Sequence, residues 1–312
     1  YYRSWLPVRN APPAPFYLTY PEKDARLPVE KMTFLWSEAE PGATFTLSIS
    51  EDAAFSKVVL KKDGLKEPTI TLEEPLPTNE PLYWRVEAKG LVSANGPFSF
   101  VVDPAVPTSL QGTVVRAAFA GTAQPSEGKL LQETGVTPSD DGKALYFDGK
   151  TAKVIYDAPQ FPLRTYTFCA WFSPKDLGRD GKRWHHLLSA WCAPMNDALR
   201  VSIQDGELVV NIEQPGGGCR LPGVPVNNDT WTHVAVVKNF GELILYVNGE
   251  RIRSIAVPMA LQSGAKNFGI GCNPNYGEIE GFKGSMADVA FSREAYTEEH
   301  IRKMVEKRVS NR

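Results

Sequence analysis

A period of two constrains this chain more than any other feature. In "LYWRVEAKG", Leu82, Trp84, Val86 and Ala88 alternate with Tyr83, Arg85 and Glu87. "KMTFLWSEA" sets Met32, Phe34 and Trp36 against their neighbours, and "ATFTLSIS" does the same with Phe45, Leu47 and Ile49. Successive side chains of a strand leave on opposite faces, so each pattern predicts a strand with one buried face. The turn signals "EPGA", "KKDG" and "SANG" fall between such runs. About seven strands over residues 16–103 predict a β-sandwich. Residues 1–15 are proline-rich and aperiodic, and read as an arm or linker.

Residues 104–112 carry turn-formers and no period, so they read as a linker, and the alternation resumes over residues 113–308. "RVSIQDGELVVNI" centres on Asp205-Gly206, a type I′ hairpin signature. "THVAVVKNFGELILYVNGE" pairs two strands across Asn239-Phe240-Gly241, and Asn248-Gly249 supplies another tight turn. A run of about 195 residues of this kind exceeds an immunoglobulin-type sandwich and predicts a jelly roll of about twelve strands. A helical pattern stands out at the end. Thr297 can cap it, Glu298 and Glu299 favour its first turn, and Ile301, Met304 and Val305 form its apolar stripe. The fold class is therefore all-β, with a short terminal helix.

Length and charge narrow the function. A chain of 312 residues favours two domains. Lys plus Arg is 34 against 36 for Asp plus Glu, which leaves no electrostatic footprint for nucleic acid. No apolar run approaches the ~18 residues of a membrane span. The opening "YYRSWLPVRNAPPAP" shows no signal peptide, as in a mature secreted chain or a piece of a longer one. The four cysteines, Cys169, Cys192, Cys219 and Cys272, lack zinc-module spacing and permit two disulfides or buried thiols.

"FLWSEAEPGATFTLSISEDAAFSKVV" with "LPTNEPLYWRVEAKGLVSANGPFSFVV" resembles a fibronectin type III domain of the bacterial extracellular kind. The resemblance makes Trp36 the strand-B core tryptophan and Trp84 its partner from strand F. It also puts Leu82 where a tyrosine corner would stand, so packing replaces that hydrogen bond and Tyr83 points outward. The second region resembles the laminin-G-like, concanavalin-A-like jelly-roll superfamily. "KALYFDGKTAKV", "YTFCAWFSP", "DTWTHVAVVKNFGELILYVNGE", "FGIGCNP" and "FKGSMADVAFSREAYTEEHI" carry the match. That superfamily hosts lectins, adhesion domains and glycanases alike, so the likeness implies a fold before a function.

Catalysis finds little support. Hydrolases of this resemblance carry Glu-x-Asp-x-Glu or Glu-x-Asp-x-x-Glu on one strand, and neither occurs here. Glu278 and Glu280 come nearest, but they sit between glycines in what reads as a loop. His185 and His186 are adjacent, so a pleated strand sends them to opposite faces and away from a shared metal. The resemblance implies a structural calcium beside Asp288 of "GSMADV", although Ala287 and Ala120 stand where further ligands are common.

For glycan recognition, three loop-like stretches offer aromatic and amide groups: "WCAPMND", "PGGGCRLPG" and "CNPNYGEIEG". Trp191, Asn196, Asp197, Arg220, Asn275 and Tyr276 would line a site if these stretches share a rim, with a Cys192–Cys219 disulfide pinning two of them. The expectation is a secreted or cell-surface (or periplasmic) non-catalytic module that binds a glycan or an extracellular protein partner, beside other domains. A structural subunit of an extracellular assembly is the second expectation and a glycan-processing enzyme the third.

Overall fold

The computed structural model describes residues 15–37, 39, 42–106, 112–177, 184–275 and 280–310. The chain divides into two compact units, 1–111 and 112–312.

The first unit holds β1 (Leu18–Tyr20), β2 (Ala25–Leu27), β3 (Met32–Trp36), β4 (Phe45–Ser50) and β5 (Val58–Leu65). β6 (Thr69–Leu72), β7 (Pro81–Ala88), β8 (Leu91–Val92) and β9 (Phe98–Val102) follow. One sheet runs β1-β3-β6 and the other β2-β9-β7-β4-β5, with β8 beside β7. The alternation in β7 is realised residue by residue. Leu82, Trp84, Val86 and Ala88 are buried, while Tyr83 and Arg85 take the other face. Trp36 and Trp84 enter the same core, which Phe34 knits together by an edge-on contact with Trp84 at 5.2 Å between ring centres.

The second unit begins with β10 (Thr113–Ala117), β11 (Leu130–Thr134), β12 (Thr137–Pro138), β13 (Leu145–Asp148) and β14 (Lys153–Asp157). The long strands β15 (Thr165–Pro174), β16 (Trp184–Ala193), β17 (Asn196–Gln204), β18 (Glu207–Gln214) and β19 (Gly217–Pro225) come next. β20 (Thr232–Asn239), β21 (Glu242–Val247), β22 (Glu250–Ala256), β23 (Asn267–Ile270) and β24 (Lys283–Ser292) lead to the helix α1 (Glu298–Ser310). They form two antiparallel sheets, β12-β13-β24-β15-β20-β21-β22 with β10 beside β24, and β11-β14-β23-β16-β17-β18-β19. Phe168, Val236 and Phe291 of the first meet Leu188, Val201, Val210 and Ile270 of the second in one core. The hairpin turns carry the left-handed backbone expected of them, at Asp205 (φ 52°) with Gly206 and at Asn248 (φ 52°) with Gly249.

The terminal helix forms as its pattern predicts. Thr297 Oγ1 accepts the His300 backbone N–H at 3.2 Å. Ile301 is fully buried against Cys169, Ala235, Val237 and Ala290, with Met304 alongside. Val305 packs near Trp171 and Trp231.

Two expectations need correction. "PGGGCRLPG" is not a loop, since most of it is strand β19 paired to β18. "WCAPMND" is likewise mostly strand, with β16 and β17 separated by the turn Pro194-Met195. The glycines at 216 and 217 misled the reading, because turn-formers also occur where a strand leaves a hairpin.

Candidate functional site

The strands β16 to β19 lie side by side, and their register decides what each presents. Val201, Ile203, Leu208, Val210, Ile212 and Leu221 face the core. The residues between them therefore face away from it. A bulge between His186 and Leu188 puts Leu187 and Leu188 both toward the core and resets the alternation. Trp184 and His186 consequently share the outer face with Ser189 and Trp191, whereas strict alternation would have separated them from that pair. His185 pairs with the core-facing Ile203 and His186 with Ser202, so the two histidines do point to opposite sides.

Cross-strand pairing lays these outer residues in rows. One row is Ser189, Arg200, Asn211 and Arg220, and the next is Trp191, Asp197, Glu213 and Gly218. Neighbours within a row have Cβ atoms about 5 Å apart, so the rows are contact units. Arg200 is the hub. It bonds Glu213, and its Nε lies 3.5 Å from Asp197. Its guanidinium sits 5.3 Å from the Trp184 ring centre, and that of Arg220 sits 5.9 Å from the same ring.

Asp197 is fully buried, and among the described residues its carboxylate is approached only at the limit of hydrogen-bond geometry, by Arg200 Nε at 3.5 Å and by the Leu199 backbone N–H. Burial pushes its carboxyl up to about 7; Arg200 pulls the other way, and Glu213 and Glu280 reinforce the rise. Asn211 Nδ2 is also buried, with no hydrogen-bond partner among the described residues.

A second polar chain adjoins this one. Ser202 Oγ lies 2.7 Å from His186 Nδ1, and His186 Nε2 lies 3.0 Å from Glu280 Oε2. Asn273 Nδ2 also donates to that carboxylate, at 3.2 Å. Burial holds His186 below the usual histidine range although Glu280 opposes it. The His186 hydrogen bond in turn holds Glu280 below the usual carboxylate range. A neutral His186 with its proton on Nε2 satisfies both neighbours, taking the Ser202 hydroxyl proton at Nδ1. Ser202 is fully buried, so this relay braces the surface and offers no exposed nucleophile.

Of the six residues expected from sequence, Trp191, Asp197 and Arg220 come together on this face. Asn196 uses Oδ1 to accept the Gly264 N–H at 3.1 Å, and Asn275 uses Nδ2 to donate to the Trp191 carbonyl at 2.8 Å. Both are ties between segments. Tyr276 and Glu278 lie outside the described residues. Trp184, Arg200, Asn211 and Glu213 were missed, although "RVSIQ" and "VVNIEQ" show polar residues recurring every second position.

The expected Cys192–Cys219 bridge is not formed. All four cysteines are free thiols, and Cys192 Sγ donates to the Asn196 carbonyl at 3.3 Å. Asp288, beside which a calcium was expected, occupies the left-handed position of a bulge in β24 (φ 47°), where its N–H bonds the Ala118 carbonyl, and its carboxylate pairs with Arg308. Among the described residues, no group of three or more His, Cys, Asp or Glu is placed to hold a metal.

The model of the concanavalin A-like lectin/glucanase superfamily, in its laminin G group, matches residues 147–302. No protein of curated function matches the sequence. Among solved structures, the binding domain of botulinum neurotoxin serotype D is similar at 12% identity and a TM-score of 0.52, over 64% of this chain and 52% of that one. The receptor binding domain of botulinum neurotoxin D gives 11% and 0.53, over 64% and 53%. The binding domain of botulinum neurotoxin DC, solved in complex with SialylT, gives 12% and 0.51, over 64% and 52%. At these identities the likeness is one of fold, and the chain spans about half the length of each of those structures.

Proposed function

The chain belongs to the concanavalin A-like lectin/glucanase superfamily, and from that premise we propose that its second unit is a non-catalytic carbohydrate-recognition module. The observation that carries the reading is the outer face of β16 to β19. It is a sheet surface with two tryptophans, two arginines, a buried amide and a buried carboxylate laid out in adjoining rows. Sugars ask for such a mixture, an aromatic surface beside donors and acceptors for hydroxyls.

Burial of a carboxylate pair supports the non-catalytic reading. Asp197 stands directly across from Glu213, the kind of carboxylate pair a glycosidase uses. However, Asp197 is fully buried and cannot reach a glycosidic oxygen, and Glu213 is bonded to Arg200. The toxin binding domains of similar fold, one in complex with SialylT, support a recognition role at the level of fold. We further propose an extracellular or cell-surface location, with the first unit as a fibronectin type III-like spacer. The two-sheet core built on Trp36 and Trp84 supports that assignment of residues 16–103.

A glycan array and calorimetry test the reading. The wild-type chain is expected to retain a defined set of glycans, and Trp191→Ala to weaken binding at least about tenfold. Retention of no glycan by the wild type, with or without calcium, sinks it.

A further inference from the structure

Strand β20 carries a cation to the end of the core. Val234 and Val236 face the core, while Ala235 and Val237 face α1. By the same parity Lys238 points inward. Its side chain is fully buried, and its Nζ donates to three backbone carbonyls, those of Arg164 at 3.0 Å, Met259 at 3.1 Å and Phe240. An ammonium has three protons and no acceptor, so three converging carbonyls match it group for group. Backbone carbonyls so arranged take the place of a cation's water shell.

The three carbonyls belong to three separate segments. Arg164 precedes β15, Phe240 lies in the turn between β20 and β21, and Met259 lies in the stretch 257–265 that leads to β23. That stretch closes one end of the sandwich, since Val257, Leu261 and Ala265 enter the core. Toward the first sheet, its Val257 N–H bonds the Gly241 carbonyl and its Leu261 N–H the Leu163 carbonyl, each at 2.9 Å. Toward the second sheet, the Gln262 N–H donates to Gln214 Oε1 at 3.2 Å, at the end of β18. The Gly264 N–H donates to Asn196 Oδ1 at 3.1 Å, at the start of β17. The stretch therefore ties the two sheets together, and Lys238 grips it between its two bonds to the first.

We infer that these carbonyls form a primary-ammonium site which the chain fills with its own Lys238, and that this tethered cation pins the stretch 257–265 across the end of the sandwich. Through Gln214 and Asn196 the pin steadies the tips of the hairpins β16–β17 and β18–β19, which makes Lys238 a positioning residue for them. The inference holds whether or not their outer face binds a glycan. Cutting Lys238 back to alanine leaves the site to a free alkylammonium, and n-propylammonium replaces the lost atoms from Cγ to Nζ one for one.

Chemical rescue in the full chain tests this. Lys238→Ala is expected to lower the melting temperature by several degrees, because three buried carbonyls lose their donor. n-Propylammonium is expected to restore at least about half of that loss, as a ligand bound only by the native state does. n-Propanol, of like shape without the charge, and tetramethylammonium, charged without an N–H, are expected to restore less than about a tenth. In Lys238→Ala and Lys238→Met, amide exchange at Gln262 and Gly264 is expected to accelerate at least about tenfold, while the Val201 amide in β17 stays within about twofold. Rescue by n-propanol equal to that by n-propylammonium, or no rescue by either, overturns the ammonium site. Equal acceleration at all three amides, or at none, overturns the pin. Should neither variant fold, the wild type decides. NMR of its isotope-labelled lysine ammonium groups is expected to show one signal whose protons survive at mildly alkaline pH, where exposed ammonium protons exchange too fast to be seen. Absence of that signal overturns the site.

Discussion

The two sheets of the second unit share one core and have opposite fates on their outer faces. The outer face of the β15–β20–β21–β24 sheet carries Cys169, Ala235, Val237, Ile244, Tyr246 and Ala290, and α1 seals it through Ile301 and Met304. The outer face of β16 to β19 carries arginine, carboxylate, amide and indole, several of them hydrogen-bonded only in part. The difference lies in the residues at every second position. Where both faces of a strand are small or apolar, as in "HVAVV", the chain must supply a second cover. Where one face is polar, as in "RVSIQ", it need not, and the polar side chains cover one another through pairs such as Arg200 with Glu213 and Ser202 with His186.

The largest expected break of this contrast falls on the sealed face. Ile301 is fully buried, so Ile301→Ala should cost about 3 kcal/mol of unfolding free energy. Denaturant titration checks it, with Arg220→Ala on the open face as the control expected within about 0.5 kcal/mol of wild type. Equal losses from both would mean that the two faces do not differ as described.

Next in size is an effect of pH on the open face. Burial raises the Asp197 carboxyl from 3.8 to about 7, so the native state holds this proton more tightly than the unfolded chain does. Its contribution is fully present below the unfolded value and is lost as pH rises through about 7. Asp197→Asn removes that dependence. Relative to the variant, wild-type stability should fall by about 1 kcal/mol per pH unit as pH rises from 4 toward 7. His186 and Glu280 act oppositely. Both are held below their usual range, so their contributions are lost as pH falls, that of His186 below 6.5 and that of Glu280 below 4.5. Parallel melting curves of wild type and Asp197→Asn across this range would show that Asp197 does not titrate as a buried acid.

Much of the scaffold is legible in the sequence, because period two, turn dipeptides and caps are local signals. The alternation in "LYWRVEA" and the helix cap at Thr297 are realised at the residues that carry them. The site is less legible because its determinants are non-local. The bulge at Leu187 that places His186 beside Ser189 leaves no mark in "RWHHLLSAWC". Lys238 ends "HVAVVK" like an ordinary strand-end lysine. It is nonetheless fully buried, donating to the carbonyls of Arg164 at 3.0 Å and Met259 at 3.1 Å, residues remote in sequence. Arg220 sat in what read as a loop, because "GGG" outweighed the pairing of the residues that follow.

Two smaller effects sharpen how the sealed face is held. Arg308 lies 5.2 Å from the Trp171 ring centre and 5.5 Å from that of Trp231, and pairs with Asp288. Arg308→Ala should cost about 1–2 kcal/mol, most of it from the rings, since the Asp288 carboxylate is half exposed and its ion pair is screened. A double-mutant cycle with Asp288→Ala should therefore couple by less than about 1 kcal/mol; stronger coupling would make the ion pair the main clamp. Smallest is the cap. Thr297→Ala removes the acceptor of the His300 N–H and should cost about 1 kcal/mol. Thr297→Ser keeps a hydroxyl and should restore most of it. Because α1 is anchored mainly by the burial of Ile301, loss of the cap should fray the first turn, seen as faster amide exchange at His300, while exchange at the buried β20 amides stays slow. Equal acceleration at both would mean that the sealed face opens as one unit with its helix.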